Sequence, residues 1–254
     1  MPIFDDRFSL SMDFHVRYGE AGSDGTARLS SVADWLQEAA AANAEEHGFG
    51  DAFMRPLGVT WVLTRLCMRI KRLPSTGETV TVHTWPSRFG RMADRGYELY
   101  DSGGSLIAEC GSTWAVMDLA GRTMTRPPEA LRGVFPEDGR PVLPCTASLP
   151  RVAEICGAAK VLVRREDLDV NGHVNNAHYL SWLFEGNGPE DSASACRGIP
   201  VFLDMAFRSE CLPGDELESV RAAAARREDG LLAVAHAIRR GGSDVCRALT
   251  LWRA

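Results

Sequence analysis

The chain has 254 residues, enough for one large domain or two of ordinary size. Apolar residues make up 45% and charged residues 24%, a balance that fills a core and excludes wholesale disorder. A net charge of −6, scattered cysteines without a CxxC pair, and no apolar run of membrane-spanning length argue against a nucleic-acid binder, a zinc module, a disulfide scaffold and a membrane protein. Met1-Pro2-Ile3-Phe4-Asp5-Asp6 has neither the basic start nor the apolar stretch of a signal peptide. The expectation is a soluble, cytoplasmic protein with free thiols and no metal or cofactor.

In chain order, Ser31-Val32-Ala33-Asp34 reads as a capping-box-like helix start, with Val32, Trp35, Leu36 and Ala39 at helical spacing and Gly48 as the stop. A strand follows over 60–71, predicted to place Val62, Thr64, Leu66, Met68 and Ile70 on one face and Arg65, Arg69 and Lys71 on the other. Segments 79–85, 95–100 and 106–117 continue an antiparallel meander. Six of the 13 prolines then fall between Arg126 and Pro150. Residues 127–150 are therefore expected to be a wandering connector between a first unit, 1–126, and a second, 151–254. The second unit is predicted to repeat the strands over 201–211, 216–226, 231–240 and 245–252.

The two units look alike. Val16-Arg17 matches Val163-Arg164, Gly25 matches Gly172, and Trp35-Leu36-Gln37-Glu38 matches Trp182-Leu183-Phe184-Glu185, all at one interval. Further on, Arg69 with Leu73-Pro74 resembles Arg208 with Leu212-Pro213 at a shorter interval, as if the first helix ran about two turns longer. Several matches in one order suggest a duplicated unit. The fold class expected is α+β, with the two tandem units sharing a continuous antiparallel sheet packed on central helices.

The densest polar cluster runs from Asp167 to Tyr179, directly before the second helix. If the segment is extended, Asp169, Asn171 and His173 point to one face. Helix N–H groups beside an acid–base set are equipment for holding an oxyanion. Turn and cap chemistry alone would also explain many of these residues. Against that, the matching positions in the first unit are Gly22, Asp24 and Thr26, so the fold does not demand this set.

Asp169-Val170-Asn171-Gly172-His173-Val174-Asn175-Asn176, followed by Tyr179 and Trp182, resembles the signature of the acyl-acyl carrier protein thioesterases of plant plastids and bacteria. Phe207-Arg208-Ser209-Glu210-Cys211 resembles that family's Glu-Cys segment, and Trp61-Val62-Leu63-Thr64-Arg65, Arg72-Leu73-Pro74, Thr84-Trp85, Trp114 and Arg126-Pro127 follow its pattern in the first half. Gly172 stands where plant members usually carry Gln, and the absence of a transit peptide points to a bacterial member. The resemblance implies a double hotdog fold and hydrolysis of a fatty acyl thioester on acyl carrier protein. It implies Asp169, Asn171, His173 and Glu210 as the catalytic set.

Glu210 and Asp169 would then orient and deprotonate water, His173 would assist, and Asn171 with helix N–H groups would polarise the carbonyl. Cys211 is a candidate nucleophile with His173 and Asn171, though neighbours on a strand point apart. Trp35, Ala39, Trp61 and Met68 are candidates for lining the acyl site, or are ordinary core. His178 matches Ser31 and reads as a helix-start residue near the site. Arg65, Arg69, Lys71 and Arg72, or Arg164-Arg165, either meet the acidic carrier or form a solvated face. The expected partner is acyl carrier protein, with no nucleic acid or membrane, for a monomer with an internal pseudo-dimer or a homodimer. An acyl-CoA thioesterase and a non-catalytic acyl-thioester-binding module are the alternatives.

Overall fold

A computed structural model describes residues 8–131, 140–169, 172–185 and 198–253. The chain divides into two compact units, Met1–Pro144 and Cys145–Ala254, each an antiparallel sheet with few helices. The first unit contains β1 (Leu10–His15), α1 (Leu29–Glu46), α2 (Asp51–Met54), β2 (Val59–Ile70), β3 (Thr79–Phe89), β4 (Ala93–Asp101), β5 (Leu106–Asp118) and β6 (Thr123–Thr125). Its strands lie in the order β1-β3-β4-β5-β2, with β6 on β5. The second contains β7 (Gly157–Leu162), α3 (Asn176–Leu183), β8 (Phe202–Phe207), β9 (Glu216–Arg221), β10 (Ala225–Arg226), β11 (Leu232–Arg240) and β12 (Ser243–Trp252). Here the order is β8-β12-β11-β9-β7, with β10 on β11.

Apolar spacing makes α1 what it is. Val32, Trp35, Leu36, Ala39 and Ala40 recur on one face and are all buried, each large side chain contributing roughly 1.5–3 kcal/mol by leaving water. The start differs from the expected capping box. The helix opens at Leu29 behind Arg28, and the buried Ser31 hydroxyl donates instead to the main-chain oxygen of Glu20 (2.9 Å). The stop is as read: Gly48 adopts φ 75°, and Phe49 N–H returns to the Ala44 oxygen (2.9 Å).

One unbroken alternation does not describe β2. Leu63 pairs with Trp114 and Arg65 with Thr113, leaving Thr64 as the extra residue of a bulge, its hydroxyl on the Thr113 oxygen (2.9 Å). The bulge shifts the phase, so Leu66, Met68 and Ile70 are buried in register with Leu63 rather than with Val62 and Thr64. Nor does β8 reach Cys211. It ends at Phe207 because the N–H groups of Arg208 and Ser209 both turn to the single oxygen of Val245 (2.9 and 3.3 Å). The edge strands β1 and β7 carry mixed, weakly patterned sequences and were not among the expected strands.

The described part of the proline-rich stretch does not wander. Trp85 Nε1 and Ser87 Oγ donate to the Arg140 oxygen (3.2 and 2.6 Å), and the Arg140 guanidinium lies 3.8 Å over the Trp85 ring. Leu143 lays its oxygen against Gly111, where any side chain would collide with it, and receives the Cys67 thiol (3.4 Å). In the second unit Thr146 fastens to Asp204 through both N–H and hydroxyl (2.6 and 2.7 Å). Prolines preset an extended backbone that straps each sheet.

Each unit contains its own triad of the same design, fully buried in the second. Trp114 Nε1 and the Tyr97 hydroxyl both meet Ser112 Oγ (2.8 and 3.1 Å), while Trp252 Nε1 and His236 Nε2 both meet Thr250 Oγ1 (2.8 and 2.8 Å). Burial, with Arg221 nearby, pushes the His236 imidazole down to about 3.

Candidate functional site

The polar cluster before α3 is a closed turn rather than an extended run. Leu168 bridges Val174, Asp169 N–H donates to the His173 oxygen (2.7 Å), and Gly172 N–H returns to the Asp169 oxygen (3.0 Å). Gly172 makes this possible at φ 75°, a conformation costly for other residues. Asp169 and His173 are therefore neighbours across a turn, which replaces the expected alternation along a strand. The Asp169 carboxylate accepts the N–H of His173 (3.3 Å). Asn171 lies outside the described residues.

Asn175 is the N-cap of α3. Its side-chain oxygen takes the N–H of Ala177 (3.0 Å), and its main-chain oxygen takes that of His178 (3.0 Å). Those two helix-start donors are thus already engaged, against the expectation that they face a substrate carbonyl. Asp167, at the end of the 3-10 turn Arg165–Asp167, holds the Arg164 N–H (2.7 Å) and stands 3.4 Å from His178 Nδ1. This second acid–imidazole pair was missed in the sequence because His178 looked like a cap.

Glu210 arrives from the segment after β8. Val174 N–H donates to the Cys211 oxygen (3.4 Å), which fixes that segment beside the turn. The outcome is His173 Nδ1 at 3.8 Å from Glu210 Oε1, with the imidazole 17% and the carboxylate 33% exposed. The separation is just beyond a hydrogen bond, a distance that substrate binding commonly tightens. Both groups keep partial exposure to solvent. Cys211 does not: it is fully buried, its thiol meets the Tyr179 hydroxyl, and burial pushes it up from the ordinary thiol range.

In the first unit, Ala39 and Met68 are fully buried, and Trp35 is buried with its indole N–H on Glu20 (3.2 Å). Trp61 is half-buried and spends its N–H on the Phe49 oxygen (2.8 Å). Of the basic residues considered for docking, Arg69 pairs with Glu109 (3.0 Å), Arg72 with Glu78 and Asp101 (2.6 and 2.8 Å), and Arg164 with Glu166 (3.2 Å). These pairs favour the solvated-face reading. Among the described residues no group of three His, Cys, Asp or Glu could hold a metal, and no helix is long and apolar enough to cross a membrane.

Comparison with known proteins covers both units. Residues 8–134 match the acyl-ACP thioesterase N-terminal domain and residues 156–254 the C-terminal domain. The chain is 30% identical, over 99% of its length, to an acyl-[acyl-carrier-protein] hydrolase of Cuphea viscosissima, a chloroplastic protein of which the match spans 64%. Among solved structures, a 12:0-ACP thioesterase from Umbellularia californica is 26% identical, covers 97% of this chain and 94% of its own, and superposes with a TM-score of 0.83. An acyl-ACP thioesterase from Bacteroides thetaiotaomicron is 22% identical, with coverage of 97% and 98% and a TM-score of 0.80, a likeness of fold. Two domain models that together account for most of the chain, matched in their proper order, place it in the acyl-ACP thioesterase family.

Proposed function

We propose that the protein hydrolyses fatty acyl thioesters of acyl carrier protein to a free fatty acid and the carrier thiol. The chain spans about 64% of the length of the first curated relatives it matches, so the activity, substrate and partner are inferences from the family and the site. The observation that carries the reading is the pairing of His173 with Glu210 at 3.8 Å beside the Asp169 turn.

In this reading a water molecule sits between the imidazole, the Glu210 carboxylate and the thioester carbon. Glu210, with His173, takes its proton as the oxygen attacks, and the carbonyl π electrons move to oxygen. Asp169 holds the His173 main chain and so orients the ring. Asn171 is the candidate donor to the oxyanion. The intermediate collapses with cleavage of the C–S bond, and the thiol, with a pKa of ~8.5, leaves with little need of a strong acid. Cys211 is set aside as nucleophile because its thiol is buried and difficult to ionise. Trp35, Ala39, Trp61 and Met68 are the residues proposed to contact the acyl chain. Cys67, Cys110, Cys145, Cys156, Cys211 and Cys246 are free, in keeping with a cytoplasmic enzyme.

The test is thiol release from matched acyl-carrier-protein and acyl-CoA substrates across chain lengths. The reading expects turnover on the carrier substrate and its loss, by ~10³-fold, in Glu210→Gln. Preference for the CoA ester would replace the substrate. Binding without thiol release from either would replace the enzyme with a binding module.

A further inference from the structure

The segment carrying Glu210 is fastened by a charged clamp that each unit builds from a different residue. Arg240, the last residue of β11, sends Nη1 to the main-chain oxygen of Glu210 (3.2 Å) and to Asp215 Oδ2 (2.6 Å). That carboxylate also accepts the Leu212 N–H (2.9 Å). In the first unit Arg72 Nη1 reaches the main-chain oxygen of Leu73 (3.4 Å) and Glu78 (3.0 Å), and Glu78 accepts the Ser75 N–H (3.0 Å).

Main-chain bonds settle which residues correspond. Ala27 N–H meets the Pro74 oxygen as Val174 N–H meets that of Cys211, and Val16 N–H meets the Glu78 oxygen as Val163 N–H meets that of Asp215. Lys71 and Arg72 share the Ile107 oxygen as Arg208 and Ser209 share that of Val245. Glu210 therefore stands where the first unit has Leu73, and Ser209 where it has Arg72. The Leu-Pro motif had suggested Leu73 with Leu212, a misalignment. Arg240 ends β11 where Asp101, an anion for Arg72, ends β4 (2.8 Å). The arginine has moved from the segment after β2 to the end of β11 while its two acceptors stayed in place.

We infer that Arg240 is the positioning residue of Glu210, an inference that rests on the hydrolytic reading of that carboxylate. Arg240 touches no reacting atom. One nitrogen of its guanidinium bridges a carbonyl and a carboxylate and so fixes the turn of backbone from which the Glu210 side chain leaves toward His173. With the guanidinium supplied from β11, the residue beside Glu210 is an exposed serine instead of an arginine stem.

The experiment compares the full chain with R240A, R240K and S209R/R240D in steady-state thiol release, following thermal unfolding of each. R240A is expected to lose ~10–100-fold in kcat with KM within about threefold, since a misplacement of about 1 Å costs on that order. R240K keeps a single charged donor that can serve both acceptors, on a shorter stem, and recovers part of the lost kcat. S209R/R240D rebuilds the first unit's clamp and recovers most of kcat, a rescue that lost stability alone does not give. Parental kcat in R240A overturns the inference, as does a double variant that is as impaired as R240A or does not fold. Should R240A itself fail to fold, the double variant decides. A parent protein inactive on every acyl thioester overturns the hydrolytic reading instead, and this inference with it.

Discussion

The turn at Gly22–Thr26 and the turn at Asp169–His173 are the same piece of backbone. Gly22 N–H meets the Thr26 oxygen at 2.8 Å and Asp169 N–H meets that of His173 at 2.7 Å; Gly25 and Gly172 return N–H to Gly22 and Asp169 at 3.0 Å each. Both glycines are left-handed, at φ 77° and 75°. Both turns follow a 3-10 turn ending in an acid, Glu20 or Asp167, that holds the N–H of Arg17 or Arg164. Only the second turn carries a carboxylate and an imidazole, and only beside it does a glutamate take the place of a leucine. The scaffold is thus independent of the chemistry placed on it, and each difference between the copies is a testable statement about function.

The largest effect is expected from making the second turn like the first. His173→Thr and Asp169→Gly install the residues of Thr26 and Gly22, which the backbone already accommodates. Thiol release should fall by ~10³-fold for the first, and less for the second, with circular dichroism unchanged. Activity retained in His173→Thr would show that the two turns do not differ in function.

Next comes the buried triad. His236 titrates far below its unfolded value, because the fold penalises the charged ring. The stability it brings is therefore complete above pH ~6.5 and drains as pH falls toward 3, at about 1.4 kcal/mol per unit. His236→Tyr copies Tyr97 of the first unit. Denaturant midpoints between pH 7 and 5 should fall less steeply in this variant than in the parent. Equal slopes would place the proton uptake elsewhere.

Glu20 offers a smaller test in the first unit. Hydrogen bonding to Arg17, together with that from Trp35, pulls its carboxyl to about 2. Stability from this group is present above pH ~4.5 and is lost as pH falls toward 2, on the order of 1–2 kcal/mol after solvent screening. Glu20→Gln should flatten the acid limb of unfolding while leaving thiol release unchanged. The smallest effect is expected at Cys211, which corresponds to Pro74 and is buried. Cys211→Ala should retain activity within about threefold, and a loss as deep as that of Glu210→Gln would make the thiol the nucleophile.

Much of this was legible in the sequence. Matched tryptophans, glycines and Val-Arg pairs announced the duplication, and the crowding of Asp169, Asn171 and His173 before a helix marked the candidate site, because turns and caps restrict residue type locally. What escaped notice depends on distant partners. The bulge at Thr64 arises from pairing with Thr113 and Trp114, and the early end of β8 from a carbonyl on Val245, neither of which leaves a local signal. The Leu-Pro motif misaligned the Glu210 segment because side-chain likeness was stronger there than backbone likeness. The proline-rich stretch looked loose because its hydrogen-bond partners, Trp85, Ser87 and Asp204, are distant in sequence.

By itself the sequence determined the repeated unit, the helix of each copy and the polar cluster that forms the candidate site, since these follow from periodicity, caps and composition over a few neighbouring positions. Only the tertiary structure decided that the Glu210 carboxylate meets the His173 imidazole while the adjacent thiol turns inward, and that an arginine from another strand holds the segment in place. Those outcomes are contacts between groups far apart along the chain, and their geometry is set by strand register and turn direction, which no short stretch of residues encodes.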